Sequence, residues 1–227
     1  MPEATQIGEL LGLNRQPVGI VFRESPPENM ARIGESAAAG CKYWQIASEG
    51  HTFYADAADH SGCPIGAHTH GVEMSEEAAT ELEGVVGTMV QLQYIAMEEV
   101  PNIPQLKGAF GVAVYAPLAD AEFDPDVVLL SGNAKQIMLL AEAAHAAGLS
   151  TDSSMVGRPT CAAIPAVMQS GTTATNLGCV GNRVYTQLAD DELYFVVAGP
   201  QLGNLVEKLT TIVEANGALE AYHQNRM

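Results

Sequence analysis

Apolar and polar positions follow two rhythms along this chain, and the rhythm changes at glycine and proline. Met1 to Leu13 spaces its apolar side chains as a helix does and carries Glu3 and Glu9, which predicts a short amphipathic helix. Pro17 to Phe22 is a β-rich apolar run closed by Ser25-Pro26-Pro27, so a buried strand is expected. Alanine-rich Ile33 to Ser48 reads as a helix with Gly40 and Cys41 inside it or at a kink, and His51 to Ala55 alternates like a strand. Asp59 to Gly71, crowded with Gly62, Pro64, Gly66 and Gly71, reads as a loop. Ser75 stands as an N-cap before Glu76 and Glu77. The helix it opens is expected to reach about Glu99, stop before Pro101 and Pro104, and pack Leu82, Val85, Val86, Met89 and Leu92 against a sheet.

The second half repeats one phrase. Val127 to Leu130, then Gly132 and an apolar helix, is echoed by Tyr194 to Val197, then Gly199 and another apolar helix. Strand, glycine turn and helix in this order build layered domains. Neither turn carries GxxxxGK[ST] or GxGxxG, so plain turns are expected rather than phosphate cradles. No linker or low-complexity segment divides the 227 residues. The expectation is one compact domain over residues 1–227, α+β or α/β in class, its mixed β-sheet packed by helices and open to division into two related halves.

Charge narrows the partners. The chain has 27 acidic residues against 10 basic ones, a formal charge of -17, which argues against nucleic acid because such binding needs a basic face. No apolar run reaches membrane-spanning length, and the N-terminal segment lacks the basic start and long apolar centre of a signal peptide. A cytoplasmic protein with reduced cysteines is expected. Apolar residues and methionines on the helices would serve a homo-oligomer interface as readily as a core.

The candidate chemistry lies in four cysteines. Cys41, Cys63 and Cys179 each follow a glycine, and Gly62-Cys63-Pro64-Ile65-Gly66 and Gly178-Cys179-Val180-Gly181 share a Gly-Cys turn. Glycine lets backbone approach closely and amide N–H groups point at sulfur, as metal-bound thiolates require. Cys161 follows Pro159 at an expected helix start, where the dipole favours ionisation. Lys42, Arg158 and Arg183 lie one, three and four residues from Cys41, Cys161 and Cys179, close enough in sequence to offset thiolate charge. Asn182 and Arg183 follow the last cysteine loop. An arginine here would clamp an anionic ligand or, in the plainer reading, cap a nearby carbonyl.

There is no CxxC pair, and spacing alone fits zinc, iron, disulfides or four small core residues that never meet. His68-Thr69-His70 offers a second site if extended, since both rings would then point one way. Chance and solvent exposure account for most such pairs. The leading expectation is an iron–sulfur protein in which Cys41, Cys63, Cys161 and Cys179 bind one [4Fe–4S] cluster, or three bind and one iron stays open to substrate. Its role would be electron transfer with a protein partner or anaerobic metabolism of a small anionic substrate oriented by Arg158, Asn182, Arg183 or Lys42. The alternatives are a structural zinc protein that binds a small anionic ligand or partner, and a metal-free thiol enzyme or redox sensor using Cys161 or Cys179.

Several stretches resemble one family. They are Leu10-Leu11-Gly12-Leu13 with Pro17-Val18-Gly19-Ile20-Val21-Phe22, the Gly-Cys loop at Cys63, and Gly157-Arg158-Pro159-Thr160-Cys161. The most specific is Gly178-Cys179-Val180-Gly181-Asn182-Arg183-Val184-Tyr185-Thr186, followed by Asp191-Glu192-Leu193-Tyr194. Together they are similar to domain-of-unknown-function family 169, a family of bacterial and archaeal proteins. The resemblance implies a soluble prokaryotic protein from an anaerobic setting, where oxygen-sensitive clusters survive; the stretches that carry it do not include His68-Thr69-His70.

Overall fold

The apolar runs that read as strands are buried on both faces, which requires helices above and below them. The computed structural model describes residues 1–108, 110–149, 151–154 (backbone only) and 159–227. Among the described residues the strands are β1 (Val18–Arg23), β2 (Phe53–Asp56), β3 (Val112–Pro117), β4 (Val127–Asn133), β5 (Thr151–Ser154), β6 (Thr173–Asn176) and β7 (Glu192–Ala198). They form one sheet in the order β2-β3-β1-β4-β7-β6-β5, antiparallel throughout except that β5 runs parallel to β6. The helices are α1 (Pro2–Leu11), α2 (Cys41–Ser48), α3 (Pro64–Thr69), α4 (Glu76–Gln91), α5 (Ala134–Ala146), α6 (Ala163–Ser170), α7 (Val180–Thr186) and α8 (Leu202–Gln224). The result is a mixed α/β domain, as expected. None of these helices is long and apolar enough to cross a membrane.

Strand alternation sorts the side chains into two cores. Val128 and Leu130 of β4, with Phe195 and Val197 of β7, face Ile7 of α1, Ile137 and Leu140 of α5, and Leu205 and Leu209 of α8. Val127 and Leu129, with Tyr194, Val196 and Ala198, face Tyr43, Trp44 and Ala47 of α2 and Ile164 and Val167 of α6. Each fully buried Leu, Ile or Phe contributes about 1.5–3 kcal/mol, so the sheet is held firmly from both sides. The second face also carries the cysteines.

The echo in the sequence is a pair of neighbours in space. β4 and β7 pair from Val127 with Ala198 to Asn133 with Glu192, and α5 packs on α8. Asn133 caps α5: its side chain accepts from the Gln136 N–H at 3.1 Å, and Gln136 Oε1 accepts from the Asn133 N–H at 2.8 Å. The Gln136 amide then donates to the Leu11 and Gly12 carbonyls at the end of α1.

Three expectations need correction. The helix expected over Ile33 to Ser48 begins only at Cys41. Residues before it are held irregular: Arg32 pairs with Asp56 and the buried Asp59, and the Tyr43 hydroxyl lies 2.9 and 2.6 Å from the Glu35 and Asp59 carbonyls while accepting from the Ala37 N–H. The expected loop over Asp59 to Gly71 contains a 3₁₀ turn, Asp59–Gly62, and then α3, because Pro64 at the first helical position starts a helix. α4 ends at Gln91 rather than near Glu99, and only Ala78 of it is buried. It packs on α3 instead of the sheet and leaves Leu92 exposed.

Candidate metal centre

Four separate elements bring the four cysteines to one region on the α2/α6 face. Cys41 is the first residue of α2, Cys63 is the N-cap of α3, and Cys179 is the N-cap of α7. Cys161 lies in the 3₁₀ turn Thr160–Ala162, which runs directly into α6. Cys41 and Cys161 are buried, Cys63 and Cys179 half-buried, and all four are free thiols. Each lies within electrostatic reach of the other three: Cys63 and Cys179 act on Cys41, Cys179 acts on Cys63, and Cys41, Cys63 and Cys179 all act on Cys161. Among the described residues no three His, Cys, Asp or Glu side chains stand close enough to grip a single metal ion. The thiols therefore lie in one region without forming a one-ion cage among the described residues.

Burial governs their protonation. It pushes Cys41 up to about 12, against a pull from the Asn182 side chain, with Cys63 and Cys179 adding to the rise. It raises Cys63 too, opposed by the Gly40 and Gly66 amides, and it drives Cys161 well above its usual value, opposed by the Thr69 hydroxyl. The expected helix-dipole activation of Cys161 is overridden by desolvation. A metal would have to displace these protons, as thiolate coordination always does.

The backbone is shaped to the sulfurs. The Asn182 N–H donates to Cys179 Sγ at 3.4 Å, and the Cys179 N–H donates to the Thr160 hydroxyl, tying the third cysteine's turn to the fourth cysteine's loop. Gly178 holds φ +79°, a left-handed conformation that suits glycine, directly before Cys179. At Gly66 an added Cβ would stand 2.9 Å from Cys63 Sγ. Gly66→Ala is accordingly expected to cost about 1–3 kcal/mol in urea unfolding and to reduce metal uptake, because the sulfur has to move aside.

The cations fare unequally. Arg183 donates to the Ala189 and Glu192 carbonyls at 2.9 and 3.0 Å and also to Leu177, so its guanidinium closes the α7–β7 loop. That is the plainer of its two sequence readings. Lys42 donates to Gln45 Oε1 at 2.7 Å and, with Glu35, Tyr43 and Tyr185, lines a cavity of about 280 Å³ to which no cysteine contributes. Asn182 is buried, and its amide donates to the Tyr194 hydroxyl at 3.2 Å. Arg158 lies outside the described residues. His68 and His70 do not form a pair: at the end of a helix rather than on a strand, His68 is exposed and His70 is buried.

Sequence reasoning missed Trp44 and undervalued His70. Trp44 follows Cys41 by one helical turn, a spacing that puts both on one face. Trp44 and His70 are each 1 % exposed, and Trp44 Nε1 and both ring nitrogens of His70 lack hydrogen-bond partners. Burial holds His70 down to about 3, with His60 adding to the fall and the Cys161 backbone opposing it, so the imidazole is neutral.

Comparison with known proteins adds kinship. The chain is 29% identical over 221 residues to an uncharacterized protein of Methanocaldococcus jannaschii, covering 93% of this chain and 91% of that one. No solved structure matches it. The family model of DUF169, described as uncharacterised ArCR, matches residues 6–208, a span that takes in all four cysteines and every strand of the sheet. The chain belongs to the DUF169 family.

Proposed function

We propose that this protein binds one [4Fe–4S] cluster through Cys41, Cys63, Cys161 and Cys179 and serves electron transfer or an anaerobic metabolic step. The observation that carries this reading is the mutual reach of all four thiols, although each comes from a different element of the chain. A bound cluster would supply an electron-accepting or Lewis-acidic iron centre. The residues around it supply insulation and amide hydrogen bonds.

One feature favours a cluster over zinc: the buried unpartnered N–H groups suit a ligand that adds sulfide acceptors to the thiolates. As for a thiol enzyme, the raised pKa of Cys161 works against nucleophilic attack at neutral pH.

Protein purified and reconstituted without oxygen is expected to be brown and to contain about four irons and about four sulfides per chain. One zinc in a colourless chain would transfer the site to the structural reading. Absence of any metal after reconstitution would defeat both.

A further inference from the structure

The buried polar atoms near the cysteines need partners that the protein does not provide. An indole N–H is a donor only, and a neutral imidazole has one donor and one acceptor. Leaving such a group unpaired in the interior costs about 1–3 kcal/mol, so native structures seldom do it without a reason. Here two side chains go unpaired together. The rings of Trp44 and His70 lie 6.4 Å apart, 35° from parallel.

Both sit on elements that carry cysteines. Trp44 lies on α2, the helix that Cys41 opens, and His70 closes α3, which Cys63 caps. The Cys161 backbone stands beside the His70 ring without closing a hydrogen bond of normal geometry. On its other side Trp44 meets Tyr194 edge-on at 5.7 Å; the Tyr194 hydroxyl takes the Asn182 amide, and the Asn182 N–H bonds Cys179 Sγ. Phe22 meets His70 edge-on at 5.5 Å and offers no acceptor.

We infer that Trp44 and His70 are positioning residues that donate hydrogen bonds from Trp44 Nε1–H and one imidazole N–H to the sulfur atoms of the bound cluster, and so set its reduction potential. The inference rests on the cluster proposed above. A donor to a cluster sulfur stabilises the reduced form more than the oxidised one, because the reduced form carries one more negative charge. Both groups therefore raise the potential. Two donors from different helices also fix how the cluster sits among its four ligands.

The test is a mediated titration of the full-length reconstituted chain, in which dithionite delivers one electron to each cluster and electron paramagnetic resonance follows the reduced form. Trp44→Phe keeps the aromatic packing without the N–H, and His70→Leu removes both ring nitrogens. In the loaded fraction of each variant the midpoint is expected to shift to more negative values, and in the double variant to shift further. A second measurement needs no variant. In wild-type protein labelled with ¹⁵N-tryptophan and ¹⁵N-histidine, electron–nuclear double resonance should show coupled nitrogen and a proton that exchanges in D₂O. A loaded cluster with unchanged midpoints in both variants and no such couplings would overturn this inference and leave the cluster standing. A wild-type chain that takes up no iron would remove the cluster itself, and this inference with it.

Discussion

Alanine in place of Cys41, Cys63, Cys161 or Cys179 is expected to strip most of the iron from the chain and to lower its thermal stability when prepared under reconstituting conditions. The effect should be large because structural metal–thiolate sites contribute binding free energies on the order of 10 kcal/mol, and a missing ligand forfeits much of that. The contrast with a plain core is sharp. Were these four thiols only small apolar fillers, each substitution would cost about 1 kcal/mol or less and change no absorbance. Iron and sulfide analysis of the four variants, with melting curves before and after reconstitution, separates the cases. pH adds a second signature. Burial keeps Cys41, Cys63 and Cys161 protonated near neutrality, so loading must expel those protons and metal affinity should rise with pH.

The elements that place this site were unevenly legible in the sequence. Strands β1, β4 and β7 announce themselves as apolar runs, and strand–turn–helix could be read twice in the second half because glycine marks each turn. The Gly-Cys turns at Cys63 and Cys179 were legible as glycine turns, but their glycines answer to backbone rather than to sulfur: a Cβ at Gly62 would stand 2.6 Å from the Ala37 carbonyl oxygen, Gly178 holds φ +79°, and it is Gly66 that meets Cys63 Sγ. Long-range anchoring leaves no such mark. Ala37, Ala38 and Ala39 favour a helix locally, yet the Tyr43 hydroxyl and the Arg32–Asp59 pair hold the segment irregular, so that α2 starts at Cys41 and presents it at a helix end. Arg183 looked equally suited to clamping an anion or capping carbonyls, and only the positions of Leu177, Ala189 and Glu192 decide for the second. The meeting of four cysteines from four elements is likewise a property of the sheet, since no local period brings them together.

Acid should unfold the metal-free chain through His70. An unfolded histidine takes up a proton near 6.5, whereas burial holds His70 in the fold down to about 3. Between those values the unfolded state binds the extra proton, so stability is full above pH 6.5 and falls as pH drops, by about 1.4 kcal/mol per pH unit. The full window amounts to on the order of 5 kcal/mol, which rivals the entire stability of many domains. His60 adds in the same direction, since burial lowers its pKa too and outweighs its hydrogen bond to the Asp56 carbonyl and the nearby Asp59 and Asp56 charges. Urea unfolding of reduced, metal-free protein at intervals from pH 7 to pH 4 should show the fall. In His70→Leu the slope should flatten toward the part that His60 supplies. An unchanged slope in that variant would mean that the His70 ring takes up its proton within the fold, and so that the space around Trp44 and the four sulfurs admits water or a charge.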